Sequence, residues 1–440
     1  MNIYKLIIVL FILISTNAYP SFLEDFAAST RALGNAGQAD LLNHRASNNY
    51  YMPASLAFNE IIQIEGSSFV SLYNIDPINN IVIENSINTE DGAEKLGTIE
   101  NDFSSLIINS IHLSLPIERI NASINFSVIS PFPYAAQFNS GDPYTPEYSL
   151  LKARPRRPQG FFNFAYALNN SLSFSLGAHL GAKTESNIFT KAAVNNQGET
   201  TLYTYASGAG EVTPKLAPVV SLFYRTEKWS AGLYFQGEME SNLKVDLVAD
   251  EISTGIIFDS IIESVLFYDP QIAKLQLGLN INNRLKLHSS VNYYIWKDYQ
   301  TPKINITQLA VMTGTYNYET LQLQNSISAK IAVNINILDN LTYSVGGSFE
   351  QSPITGDFSE NGNTIHSDTY TASMGVNLDF RLLNYDLSAS IAGSYKMLKD
   401  KSVIKSPGQE NGQNGRKIGA PGYDIGGNIT TVSLGLGLSI

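Results

Sequence analysis

"TTVSLGLGLSI", residues 430–440, decides how the rest of the chain is read. Val432, Leu434, Leu436, Leu438 and Ile440 alternate there with Ser433, Gly435, Gly437 and Ser439. Strict period two places successive side chains on opposite faces of an extended strand. One face is apolar, and the other is small or polar. Upstream runs repeat the pattern. In "SLSFSLGAHL", Leu172, Phe174, Leu176, Ala178 and Leu180 oppose Ser171, Ser173, Ser175, Gly177 and His179. In "KLQLGLNI", Leu275, Leu277, Leu279 and Ile281 oppose Gln276, Gly278 and Asn280. In "SAKIAVNINI", Ala329, Ile331, Val333, Ile335 and Ile337 oppose Lys330, Asn334 and Asn336.

Such runs number fourteen, near 60–73, 105–115, 119–129, 160–168, 171–184, 214–225, 229–240, 271–281, 285–296, 324–337, 341–351, 368–382, 385–396 and 429–440. Most are close to the ten or so residues that a tilted membrane strand needs. Their connectors alternate between short and long. Asn169-Asn170, Arg225 to Lys228, Asn282-Asn283, Leu338 to Asn340 and Leu383-Asn384 are tight turns. Polar stretches near 74–104, 130–159, 185–213, 241–270, 297–323, 352–367 and 397–428 all fall on the opposite side. An even strand number with one-sided long connectors predicts a transmembrane β-barrel with short periplasmic turns and long extracellular loops. The fold class expected is all-β, a 14-stranded antiparallel barrel in a bacterial outer membrane. Trp229, Tyr293, Tyr294, Trp296 and Tyr299 stand near strand ends, where a girdle of amphipathic rings is expected at the headgroup level. Ordinary packing in a soluble sandwich is the other reading of these rings.

Composition narrows the function. The chain of 440 residues carries a formal charge of −11 and no cysteine. A nucleic-acid partner needs a basic surface, so none is expected. Without cysteine there is no disulfide, thiolate metal site or cysteine nucleophile. Met1 to Lys5, then the nine apolar residues Leu6 to Ile14, then Thr16 and Ala18, form a secretory signal with a cut after residue 18. The apolar run is too short to cross a bilayer, which takes about 20 helical residues. The expected division is 1–18 signal peptide, 19–58 N-terminal segment, and 59–440 barrel with its extracellular loops.

The segment 19–58 precedes the first strand and matches neither helix nor strand. A barrel of fourteen strands has a bore wider than its own side chains fill. It is therefore either an open porin or carries a plug. Gly34, Ala36, Gly37 and Ala39 allow close backbone packing, and Asn43, His44, Arg45, Ser47, Asn48 and Asn49 can bond to a polar wall. The segment reads as a hatch within the bore, with a loose periplasmic tail as the other reading.

"RALGNAGQADLLNHRASNNYYMPASLAF" resembles the N-terminal segment of FadL-type outer-membrane transporters, which carry small residues and an Asn-Pro-Ala motif just before the first strand. "FFNFAYALNNSLSFSLGAHLGAK", "VVSLFYRTEKWSAGLYFQGEM", "DPQIAKLQLGLNINNRLKLHSSVNYYIWKDY" and "YSVGGSFEQSPITGD" resemble later strand pairs of that family in the same order. The resemblance implies a hatched barrel that passes long-chain fatty acids or other hydrophobic molecules inward by diffusion. It implies a route from an outer-loop groove to a luminal site, and then sideways through a gap at a kinked strand. Pro53 and Ala54 match the motif and are carried over as hatch-anchoring positions with Gly34 and Gly37. Met52 replaces the motif's Asn and Ser55 its following Gly. The chain ends in Ile440, where such barrels commonly end in an aromatic.

A hydrophobic cargo calls for apolar surface outside the membrane, worth about 25 cal/mol per Å² buried. "DEISTGIIFDSIIESVLFYDP" offers Ile256, Ile257, Phe258, Ile261, Ile262, Leu266 and Phe267 with partial helical spacing, the expected binding groove in the fourth outer loop. A loop helix packed on its neighbours is the other reading. A carboxylate head group would pair with Arg or Lys. "LKARPRRP" supplies Arg154, Arg156 and Arg157, and the polar strand faces supply Lys183 and Lys330. The arginine cluster also suits a solvated patch against lipopolysaccharide. No catalytic residues are assigned. The five histidines have no helical metal spacing, and His288 and His366 beside serines lie on strands whose consecutive residues diverge. No cofactor, metal or nucleotide motif is visible, so direction would come from consumption inside the cell. The partners expected are hydrophobic small molecules, outer-membrane lipid and lipopolysaccharide, with a monomeric barrel. A scaffold or shuttle for secreted proteins, or a general porin, is the alternative function, separated from transport by what fills the lumen.

Overall fold

The structure is a computed structural model. It describes residues 27–83, 95–99, 105–132, 149–150, 159–194, 200–205, 211–251, 256–296, 305–306, 323–355, 364–383, 385–404, 418–419 and 422–440. Residues 1–26, with the expected signal peptide 1–18, lie outside the described residues.

Fourteen strands form the wall. They are β1 (Gln63–Ile75), β2 (Ser105–Ile117), β3 (Ala122–Phe132), β4 (Gln159–Ala167), β5 (Leu172–Val194), β6 (Glu211–Arg225), β7 (Trp229–Gln236), β8 (Gln271–Asn282), β9 (Leu285–Ile295), β10 (Ser326–Leu338), β11 (Leu341–Glu350), β12 (Thr369–Leu382), β13 (Tyr385–Leu398) and β14 (Gly427–Ser439). Each pairs antiparallel with its sequence neighbour. β14 pairs antiparallel with β1 over thirteen residues, Gln63↔Ser439 to Ile75↔Gly427, and the sheet closes. Closure leaves no wall edge, which a strand structure in lipid requires.

The period-two reading is inverted relative to a soluble protein. The apolar face points outward. Leu436 is 72% exposed, whereas Ser433, one position before Leu434, is 1% exposed. Leu176, Leu216, Ile111, Ile331 and Met374 join this outer surface. Inside stand Ser67, Ser71, Ser127, Asn163, Ser173, Ser221 and Asn334, all buried. An apolar exterior around a polar interior is the surface of an outer-membrane barrel. No helix among the described residues is long and apolar enough to cross a membrane, and the strands do the crossing.

The short turns lie where the sequence places them. Between β2 and β3, Asn121 adopts the left-handed conformation with φ 50°, and Leu383 does so with φ 48° between β12 and β13. The aromatic girdle needs correction. Trp229 faces outward beside Tyr224, with ring centroids 5.2 Å apart. Tyr294 and Trp296 face inward instead and are buried with Ile272. Alternation along β9 puts Tyr293 on the outer face and Tyr294 on the inner one, so adjacent rings cannot share a girdle. Tyr299 lies outside the described residues.

Residues 27–58 form two short helices, Thr30–Gly34 and Asn48–Tyr51, and a 3-10 turn, Pro53–Phe58. Most of these residues are buried, and they lie against the inward face of the wall. Glycines on the wall let the backbones approach. A Cβ at Gly375 would come 3.1 Å from the Gly34 Cα, and one at Gly346 would come 2.9 Å from the Ala36 nitrogen. Gly37, at φ 74°, turns the chain after the first helix.

Candidate functional site

Two pieces of chain bound the interior, and each owes its path to local sequence. The lower piece is residues 27–58. Many of its polar atoms bond the wall. Thr30 N donates to Ser67 Oγ at 3.1 Å, and Ala36 N to Ser373 Oγ at 3.0 Å. Ala54 N donates to Ser221 Oγ at 2.9 Å, and Ser173 Oγ donates to Ala54 O at 2.6 Å. His112 Nε2 donates to Ala28 O at 2.7 Å, which leaves its Nδ1 to accept from Ser127 Oγ at 2.8 Å. Asn49 Nδ2 donates to Ser127 Oγ at 2.8 Å, and Asn163 Nδ2 returns a bond to Asn49 Oδ1 at 2.8 Å. A buried polar atom that loses its partner costs about 1–3 kcal/mol, so displacing the segment from these bonds is unfavourable.

The positions anticipated as anchors are therefore placed. Gly34 faces β11 and β12, Gly37 O accepts from Lys330 of β10, and Ala54 bonds β5 and β6 through both backbone groups. Pro53 opens the 3-10 turn, where its missing N–H costs nothing. Met52 takes the motif's Asn position with no polar bond from its side chain. It is fully buried and packs over Gly232, where any Cβ would strike it.

The upper piece is a hairpin, Met239–Glu251 with Ile256–Asp269, and it corrects the expected loop. The apolar residues Ile256, Ile257, Phe258, Ile261, Ile262, Leu266 and Phe267 lie on a strand, not on a helical turn. Cross-strand pairing from Met239↔Asp269 to Glu251↔Ile256 satisfies the backbone that a helix would otherwise have satisfied internally. Their side chains lie outside the description.

The hairpin also leaves the wall. Thr184 of β5 pairs with Val212 of β6 and with Leu243 of the hairpin. A strand residue has two edges, so β6 and the hairpin hold opposite edges of β5. The hairpin occupies the edge that β4 vacates beyond Leu180. To reach it the chain crosses β6 and β5 on the inner side, where buried Met239 packs on Gly181. The reason is visible in β6. Its ladder with β7 stops at Val219↔Gln236 after seven pairs. Pro218 O accepts from Gly237 N at 2.8 Å, so residue 218 directs its backbone groups toward β7. Being proline, it has no donor to return. Pro214, four residues further, removes a second donor from the same edge.

Between the two pieces, side chains from several elements converge. Phe161 of β4 stacks on His179 of β5 with centroids 4.4 Å apart and a 4° interplanar angle. Tyr50 meets Phe161 and Tyr51 edge-on at 5.0 and 4.8 Å. Tyr234 donates through its hydroxyl to Gln236 Oε1 at 2.8 Å, and Gln236 Nε2 donates to His179 Nδ1 at 3.2 Å. Lys274 of β8 places its Nζ 5.0 Å from the Tyr50 ring, 5.1 Å from Tyr234 and 5.8 Å from Tyr51. Ring faces stabilise a desolvated ammonium by about 0.5–2 kcal/mol each. The arrangement packs aromatic rings around one buried ammonium. Lys274 was legible as a polar-face residue two positions before Gln276. The rings from residues 50, 51 and 161 come together only through folding.

Of the expected head-group cations, Arg154, Arg156 and Arg157 lie outside the described residues. Lys183 lies on β5 opposite Thr213, with its side chain outside the description. Lys330 is placed, and its Nζ donates to Gly37 O at 3.2 Å, so it ties the lower segment to β10.

At the lower mouth, His44 is half-buried beside Arg225, whose Nη1 donates to His44 Nε2 at 3.2 Å. Burial first, and then the Arg225 charge, push the His44 pKa down to about 4, against the opposing pull of Asp40. His44 is neutral at pH 7 and acts as an acceptor there.

The fold and its interior define a class: a fourteen-stranded transmembrane barrel with its own chain lodged in the bore. Solved structures share that fold over almost their whole length. A Pseudomonas aeruginosa FadL homologue superposes with TM-score 0.60 at 14% identity, covering 97% of this chain and 99% of its own. The Pseudomonas putida toluene transporter TodX superposes with TM-score 0.51 at 12% identity, covering 96% and 99%. The CymD monoaromatic hydrocarbon channel does so with TM-score 0.51 at 13% identity, covering 96% and 99%. At these identities the likeness establishes a common fold. No protein-family model matches the sequence, and no curated protein matches it.

Proposed function

We propose that this chain carries hydrophobic compounds, long-chain fatty acids among them, passively across the outer membrane. In this reading residues 19–58 act as a hatch closing the bore to water and ions. Cargo enters from the apolar hairpin 256–267, passes to the luminal rings around Lys274, and continues past the hatch. One observation carries the proposal: the bore is occupied from below by a segment bonded to the inner wall, and Tyr50 and Tyr51 of that segment join an aromatic cluster with Phe161 and Tyr234. A general porin needs a continuous polar channel, and such a floor does not provide one. The fold shared with a FadL homologue and with hydrocarbon channels supports the same reading.

The test has two parts. The barrel is purified in detergent, its bound compounds are released, and they are identified by mass spectrometry. Uptake of oleate and of toluene is then measured in cells expressing the protein and in cells lacking it. Bound lipids or hydrocarbons together with saturable uptake are expected. Empty barrels with no protein-dependent uptake of either compound would sink the proposal.

A further inference from the structure

The N-terminal segment changes character at residue 46. Ala46 to Ala57 are buried without exception, and they carry the large side chains of Tyr50, Tyr51, Met52 and Leu56. The stretch before them buries mostly small ones, with Ala32, Ala36 and Ala39 beside Leu33 and Leu41, and Asp40 and residues 42–45 are half-buried. Less apolar area per residue means a weaker hold. Polar matching differs in the same sense. Among the described residues, Asn35 Oδ1, Gln38 Oε1 and His44 Nδ1 are buried without a hydrogen-bond partner, and 46–58 contains no such side-chain atom. Such orphans weaken a seat. Ala36 also takes a left-handed backbone, φ 56°, which strains a residue with a Cβ.

Both ends of this weaker stretch are held. Ala28 N donates to Tyr51 Oη at 2.6 Å, and Thr30 bonds Ser67 and Ser433. Residue 46 begins the fully buried part. Arg31 near one end and Arg45 at the other converge on a single atom. Asp379 Oδ1 of β12 accepts from Arg31 Nη2 at 2.6 Å and from Arg45 Nη2 at 2.8 Å. The arginine side chains are 12% and 23% exposed, and that of Asp379 is 43% exposed. Burial, and then the Arg45 charge, pull the Arg31 pKa below its ordinary value, against Asp379 and Glu65. Two guanidinium groups this close repel, and the carboxylate between them closes the neck of the loop.

We infer that residues 31–45 are a strap, clasped at its neck by Asp379, which lifts from the wall while 46–58 stays seated. The inference rests on the reading of the segment as a hatch on the path of hydrophobic compounds, and it adds which part of the hatch opens. The strap meets the wall through Gly34 on Gly375, Ala36 on Gly346, and Leu41 and Leu42 on Gly278. Lifting it bares the inner faces of β8, β11 and β12 and leaves the cluster of Tyr50 and Tyr51 in place.

Hydrogen exchange on the full-length barrel in detergent tests the strap. In wild type, amides of 33–43 should exchange at least about tenfold faster than those of 48–56, and equal protection overturns the inference. D379N should speed exchange across 31–45 a further tenfold or so and leave 48–56 within about twofold, with D379E restoring most of the protection. Equal acceleration of both stretches would show a hatch that loosens as one body, and no acceleration would remove the clasp; either result overturns the inference. The wild-type comparison decides even if D379N fails to assemble. A second measurement uses the absence of cysteine from the chain. Ala36 N lies 3.0 Å from Ser373 Oγ, so A36C/S373C joined by a short bis-alkylating linker pins the strap to β12. S71C/T431C, at wall hydroxyls 2.7 Å apart, is the linked control. Toluene uptake should fall at least about tenfold in the first and hold in the second. Uptake untouched by the first linker overturns the strap as the moving part. Absence of uptake in wild type counts against the transport reading alone, and exchange still judges the strap.

Discussion

Two parts of one chain are joined to the wall and are held in opposite ways. Residues 27–58 are stitched to at least ten wall strands by polar side chains and backbone groups. The hairpin 239–269 is attached by strand pairing along one edge of β5 and by Asn305-Ile306 at its other side. Side-chain bonds with matched partners specify a single seat, while edge pairing specifies a direction. The segment below is thus fixed by many separate partners, and the hairpin above by its ladders alone.

The largest way to break the comparison is to delete residues 27–58. The wall should still close, because the β1–β14 ladder does not involve the segment, and single-channel recordings should show stable conducting steps absent from wild type. A deleted barrel that stays silent would mean that the hairpin alone seals the bore. Next comes Gly375→Val. Its Cβ would meet the Gly34 backbone, which cannot swing aside as a side chain can. Overpacking of this kind costs about 1–3 kcal/mol. Proteolysis within residues 30–45 should accelerate about tenfold or more, with the heat-modified gel mobility of the barrel unchanged.

Acid should loosen the lower seat by a smaller amount. His44 titrates near 4 when docked and near 6.5 when free. The undocked form therefore takes up its proton first as pH falls. Docking is constant above pH 6.5, weakens between 6.5 and about 4, and changes no further through this group below that. A depressed value of this size corresponds to at most about 3 kcal/mol. Hydrogen exchange of residues 40–48 between pH 7 and 4 reports it, and H44Q should flatten the profile. The smallest effect belongs to the upper cover. Pro218→Thr restores a donor toward β7, worth about 1 kcal/mol, and should slow exchange at Gly237 and Glu238 by up to about fivefold. Unchanged exchange there would show that the hairpin leaves the wall for another reason.

The wall was legible because lipid on one side and a polar bore on the other impose period two on every strand. All fourteen strands fall within a few residues of where alternation puts them, β7 and β5 apart. β5 runs on to Val194, since a strand above the membrane needs no alternation and leaves no periodic mark. β7 ends at Gln236 because of Pro218, a residue on a different strand. The segment before β1 could be read as small and polar, but its partners, Ser127, Ser221 and Ser373, are far away in sequence. The hairpin misled in a specific way. Spacings such as Ile257, Ile261 and Ile262 fit a helical face, and only the pairing with 239–251 decides for strand. Arg31 and Arg45 gave no local signal as a pair, because Asp379, more than three hundred residues later, is what joins them.

The seam between β1 and β14 also sets an order of events. The strand nearest the start of the wall finds its second neighbour only when the final residues of the chain have been made. Until then the cylinder is an open sheet, and the leading segment has no bore to occupy. Zipping that last ladder is thus the step that imprisons the segment, so a chain shortened by one strand at its end forfeits wall and stopper together.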